Sequence, residues 1–106
     1  DGAESVIDPL NERTIALVIP APANLQAVAQ TKQATLTWTA VDGAVDYEVA
    51  SGLSTTAIGS AQRVGLNPTV IVNNLISGRP YYFVVRAIDG TGRKSADSNI
   101  ANATPL

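Results

Sequence analysis

The chain has 106 residues, room for one domain with a modest core and too few for two. Its formal net charge is −2 and its seven Lys and Arg are scattered, with only Arg93 and Lys94 adjacent, which argues against nucleic acid and against an anionic membrane surface as partners. Cys and His are absent, which excludes disulfides and thiolate metal sites and removes the commonest general base.

No apolar run approaches the roughly 20 residues that span a bilayer, so no membrane insertion is expected. Position 1 is Asp and the chain has no Met. The sequence is therefore expected to begin after a cut, either at a removed signal peptide or at a boundary within a longer chain. Abundant Ser, Thr and Ala with little Lys or Glu lean towards a secreted or cell-surface protein.

Residues 1–19 form an N-terminal arm. The first twelve are polar and acidic, and Thr14-Ile15-Ala16-Leu17-Val18-Ile19 follows, ending at Pro20. In an extended chain Ile15, Leu17 and Ile19 share one face while Ala16 and Val18 share the other. Two apolar faces predict a strand covered on both sides. Burying the three large aliphatics is worth roughly 5–8 kcal/mol before the entropy of ordering. The run is thus a candidate donor strand, added either to its own domain or to a neighbouring subunit by β-augmentation.

Residues 20–106 break into short alternating segments separated by turn residues, the pattern of an antiparallel β-sandwich. Leu25–Ala29 reads as the first strand. Ala34–Ala40 alternates, with Leu36 and Trp38 inward and three threonines outward. Asp42-Gly43 marks a turn, after which Tyr47 and Val49 face the core. Ser51–Ser60 is rich in Gly, Ser and Thr and reads as a connection, with a short strand near Ala61–Val64. Val70, Val72 and Leu75 point inward next. Tyr81, Phe83, Val85 and Ala87 stand at two-residue spacing on one face of a long strand ending at Ile88. Asp89-Gly90-Thr91-Gly92 turns the chain into a last strand near Ile100–Thr104.

The run Leu75–Gly92, with its Tyr81-x-Phe83-x-Val85-x-Ala87 core and glycine-bearing turns, resembles the signature of fibronectin type III domains. So do Pro22-Ala23-Asn24-Leu25, Trp38 and Tyr47-x-Val49. The resemblance covers about four-fifths of the chain. It implies a seven-stranded, immunoglobulin-like all-β sandwich with Trp38 at its centre, and a tyrosine corner at Tyr81, whose hydroxyl ties back to an upstream backbone group. The family's usual proline two residues after the leucine is replaced here by Ser77, and Pro80 adjoins the tyrosine.

Catalysis is not expected. Without His or Cys, the nine carboxylates would have to supply the chemistry, and a glycosidase needs two of them flanking a cleft. Asp46 and Glu48 share the outer face of one strand. Asp42 with Asp46, or Asp89 with Asp97, falls short of the six to eight oxygens that calcium takes, so no metal or cofactor is expected. The outward positions of the long strand, Tyr82, Val84, Arg86 and Ile88, are unusually apolar for a solvated face. Glu48 is placed to pair with Arg86. With Ile15, Leu17, Val18 and Ile19, the residues Tyr82, Val84 and Ile88 form the candidate interaction set. Two functions follow as expectations. One is a non-catalytic extracellular subunit that self-assembles through its arm into a surface fibre or sheath. The other is a spacer or accessory module of a larger secreted protein, such as a polysaccharide-degrading enzyme, whose partners are neighbouring domains.

Overall fold

A computed structural model describes residues 19–106. Seven strands run through them: β1 Gln26–Gln30, β2 Gln33–Thr37, β3 Ala44–Gly52, β4 Ile58–Gly65, β5 Thr69–Val72, β6 Tyr81–Asp89 and β7 Ala101–Ala103. They make two antiparallel sheets, a small one ordered β1-β2-β5 and a large one ordered β4-β3-β6-β7. This is the antiparallel sandwich the alternation predicted, with the seven strands and immunoglobulin-like form that the resemblance implied.

The core lies where the two inner faces meet. Leu36, Tyr47, Phe83, Val85 and Ala87 are buried almost completely, and Trp38 packs among them. Its ring meets that of Tyr47 edge to face at 5.3 Å and 69°, the arrangement the ring quadrupoles favour. The Trp38 Nε1–H is buried with no hydrogen-bond partner among the described residues. Two tyrosines pin loops to this core. The Tyr81 hydroxyl accepts from the Ile76 N–H at 3.0 Å, forming the expected corner despite Ser77. The Tyr47 hydroxyl accepts from the Val41 N–H at 2.8 Å, a tie that spacing alone did not reveal.

The strand pattern departs from the sequence reading mainly at Ser51–Ser60. β3 continues to Gly52 and β4 already begins at Ile58, so the connection shrinks to residues 53–57. Gly52 makes the tight return possible: a Cβ there would stand 2.0 Å from the Ala57 carbonyl oxygen. Small polar residues carry no hydrophobic period, so this pairing, held by backbone hydrogen bonds, was invisible to a pattern built on side chains. The first strand also starts one residue late, at Gln26, because the Leu25 amide and carbonyl are taken by a side chain from the far end of the domain.

Candidate functional site

Of the expected interaction residues, Ile15, Leu17 and Val18 lie outside the described residues. Ile19 is half-buried and packs against the domain's own core. Tyr82 is half-buried. Val84 and Ile88 are only 3% and 1% exposed, so the expected solvated apolar strip is corrected. The register shows what lies beside them. Ala50 pairs with Val84, Glu48 with Arg86 and Asp46 with Ile88 across β3 and β6. The middle row is a charge cluster. Arg86 Nε donates to Glu48 Oε2 at 2.6 Å, Arg86 Nη1 to Asp97 Oδ1 at 2.8 Å, and Lys94 Nζ stands 3.2 Å from Glu48 Oε1. Long cationic side chains cover apolar surface with their stems while their heads find partners.

The Glu48–Arg86 pair was expected on an exposed face. Instead the Glu48 side chain is only 5% exposed. Burial pushes its carboxyl pKa up, but the hydrogen bonds and charges of Arg86 and Lys94 outweigh it, so the net shift is downward. The hydrogen bond that Arg86 donates to Glu48 raises the Arg86 pKa against the opposing desolvation.

Other carboxylates have structural tasks. Asp46 Oδ1 accepts from the Tyr47 and Gly65 N–H groups at 2.8 and 3.0 Å, and its Oδ2 accepts from Arg63. Asp89 Oδ1 accepts from the Thr91 hydroxyl, the Thr91 N–H and the Arg93 N–H. Those hydrogen bonds, the Thr91 hydroxyl foremost, lower its pKa. It caps the β6–β7 turn as an Asx turn does. Among the described residues no three acidic side chains gather as a metal site.

A concavity opens along the side of the sandwich where edge strands β4 and β5 face each other. It holds about 510 Å³. Val49, Val64, Val70, Val72 and Leu75 are its aliphatic lining, and Ser51, Ser60, Gln62, Asn73 and Asn74 contribute hydroxyls and amides. No ionisable side chain lines it. Its chemistry is therefore that of contact, with no acid or base to move a proton.

The opposite side is closed by a device the sequence reading did not find. There the Leu25 N–H donates to Asn99 Oδ1 at 2.9 Å, and Asn99 Nδ2 donates to the Leu25 carbonyl at 3.0 Å. Along β6, the Ser95 N–H donates to the Ala87 carbonyl and the Ser98 N–H to the Val85 carbonyl. In return Ser95 Oγ accepts from the Ala87 N–H and Ser98 Oγ from the Val85 N–H, both at 2.9 Å. Val85 and Ala87 are two residues apart while the serines are three apart. The extra residue breaks strand pairing, and each hydroxyl stands in for the missing carbonyl. The spacing Ser95-x-x-Ser98-Asn99 was the available signal.

Two stitched sheets, a tyrosine corner and a central tryptophan define an immunoglobulin-like sandwich. The family model for the fibronectin type III domain matches residues 20–104, and the chain belongs to that family. It is similar, at 33% identity over 93 residues, to an amylopullulanase of Thermoanaerobacter thermohydrosulfuricus; the match takes in 84% of this chain and 6% of that protein. Among solved structures, an Fn3-like protein from Clostridium thermocellum superposes with a TM-score of 0.70 at 25% identity, covering 84% of this chain and 96% of that one. A β-1,2-glucanase from Parabacteroides distasonis gives a TM-score of 0.70 at 20% identity over 85% of this chain and 13% of its own; at that identity it supports the fold alone.

Proposed function

We propose that this chain is a non-catalytic module of a larger secreted protein that acts on glucans, serving as a spacer or accessory domain beside a catalytic one. The observation that carries this is the match to 6% of an amylopullulanase, which is the proportion of a small module within a large enzyme. The site chemistry is consistent with it. The cleft has no ionisable lining. Asp46, Glu48, Asp89 and Asp97 each hold a neighbouring backbone or side-chain group. The test is release of reducing sugar from pullulan, starch and a soluble β-glucan by the chain alone. The module reading expects no release above buffer, and turnover of any of the three overturns it.

The second reading is the self-assembling subunit, which adds Thr14–Ile19 to a neighbour. What favours it is the pair of edge strands β4 and β5, which have one strand neighbour each among the described residues, since unpaired edges accept strands. It predicts filaments or other concentration-dependent species in sedimentation and negative-stain imaging, and a monomer at every concentration overturns it.

A further inference from the structure

The two outer faces of the sandwich differ in charge. That of the large sheet carries Asp46, Glu48, Arg63 and Arg86, with Lys94 and Asp97 bonded into the same cluster. The strands of the small sheet present no ionisable side chain outward. Their outer positions stand in register. Gln26, Thr37 and Thr69 form one row, and Gln30 and Gln33 form another. Between them lie Val28, Thr35 and Ile71, with Val28 57% and Ile71 51% exposed. Alternation sends Ala27, Leu36 and Val70 to the other side, into the core.

The polar side chains of this face are tied to one another. Gln30 Oε1 accepts from Gln33 Nε2 at 2.9 Å and from the Thr35 hydroxyl at 2.8 Å. Exposed glutamines lose rotamer freedom when a ligand fixes them. Here the network holds them beforehand, which lowers the cost of binding. With its oxygen doubly engaged, Gln30 turns its amide hydrogens to a ligand while Gln33 offers its carbonyl oxygen, a donor beside an acceptor. Neighbouring strands lie about 4.8 Å apart and each residue adds about 3.4 Å, so the patch measures about 10 by 14 Å.

Such a face suits an uncharged ligand with hydroxyls on its rim and C–H groups on its flats, which is the chemistry of a neutral sugar polymer. Anionic polymers would find no cation on it. A protein partner calls for aromatic or Arg anchors and a continuous apolar patch, whereas Thr35 separates Val28 from Ile71. We infer that the outer face of the small sheet is a contact surface for an insoluble neutral glucan. Val28 and Ile71 meet the C–H faces of sugar rings, and Gln30 and Gln33 meet their hydroxyls. The patch has no aromatic ring for a sugar to lie on, so it gains little from a mobile chain in solution, whose ordering costs entropy. A packed granule presents chains already ordered. The choice of a glucan among neutral polymers rests on the module reading; the charge-free face stands without it.

The test is depletion of the whole 106-residue chain from solution by granular starch, with reducing sugar measured in the same supernatant. The parent should adsorb, and about 1 M NaCl should change its partition by less than about twofold, because no charge is screened. The double variant Val28→Asp/Ile71→Asp should adsorb about tenfold more weakly, its fold checked by the near-ultraviolet circular dichroism of Trp38. Gln30→Ala adds no charge and releases Gln33 and Thr35, and it should lose about threefold. Arg63→Ala, on the opposite face, should match the parent. A parent that fails to adsorb, or adsorbs no better than the double variant, overturns the inference and leaves the module reading standing as a spacer. Release of sugar overturns the module reading and the choice of a glucan with it. Self-association of the parent that the double variant lacks, without adsorption, overturns the inference in favour of a second copy on this face.

Discussion

The two sides of this sandwich solve the same problem in opposite ways. Where β1 meets β7, the sheets are stitched by Asn99, which serves both backbone groups of Leu25, and the frayed strand after Lys94 is repaired by Ser95 and Ser98. Where β4 faces β5, among the described residues, there is a cleft with aliphatic walls instead. Both sides begin from sheet edges, which invite a further strand. One side answers with polar side chains that complete the backbone's hydrogen bonds. The other leaves its edges ready for a segment of strand-forming residues. The difference teaches that an edge can be closed from within by two serines and an asparagine, without regular pairing.

The closed side is the place to break this contrast with the largest effect. Asn99→Ala leaves the N–H and carbonyl of the buried Leu25 without their partner. Each orphaned group costs about 1–3 kcal/mol, so we expect a loss of about 2–3 kcal/mol in urea unfolding, with the slope unchanged. Asn99→Asp should lose less, since its carboxylate still accepts from Leu25. Ser98→Ala is expected to cost about 1–2 kcal/mol, because the Val85 N–H is buried and loses its acceptor. Ser98→Thr, which retains the hydroxyl, separates that loss from a simple change of packing.

Much of this contrast was legible in the sequence only on its apolar half. The Tyr81-Phe83-Val85-Ala87 row and the Leu36-Trp38 pair declared their face by period, and the structure puts them in the core. The small residues were opaque for a physical reason. Ser95, Ser98 and the Gly59–Ala61 stretch of β4 act through backbone-length hydrogen bonds, which leave no periodic trace in hydrophobicity. The burial of Val84, Ile88 and Glu48 was missed for a related reason. Alternation tells which residues share a face, but not whether ion-paired side chains lie over that face.

That ion-paired row on the large sheet yields a pH test. The Glu48 pKa is lowered in the folded chain. A carboxylate with a depressed folded pKa contributes stability above its unfolded value, about 4.3, and that contribution is lost as the pH falls through the folded pKa. Glu48→Gln should therefore be less stable than the parent at pH 7, by about 1–2 kcal/mol given that Arg86 keeps some solvent contact. The gap should narrow steadily between pH 5 and pH 2. A gap that stays constant in thermal melts across that range would mean Glu48 acts by packing alone.

The smallest expected effect sits at the end of β4, beside the open side, and separates backbone support from surface charge. Asp46 and Arg63 form an ion pair at 3.3 Å, yet the Arg63 side chain is 59% exposed. Exposed pairs contribute a few tenths of a kcal/mol, so Arg63→Ala should change stability by less than about 0.5 kcal/mol. Asp46 does more than pair. Its Oδ1 also receives the Tyr47 and Gly65 N–H groups, and Gly65 holds a φ of +91° as β4 ends. Asp46→Ala should cost about 1–2 kcal/mol by freeing those donors, while Asp46→Asn, which keeps an acceptor oxygen, recovers most of it. Equal losses for Arg63→Ala and Asp46→Ala would mean that the charge pair, and not the backbone clasp, holds the last turn of the open side in place.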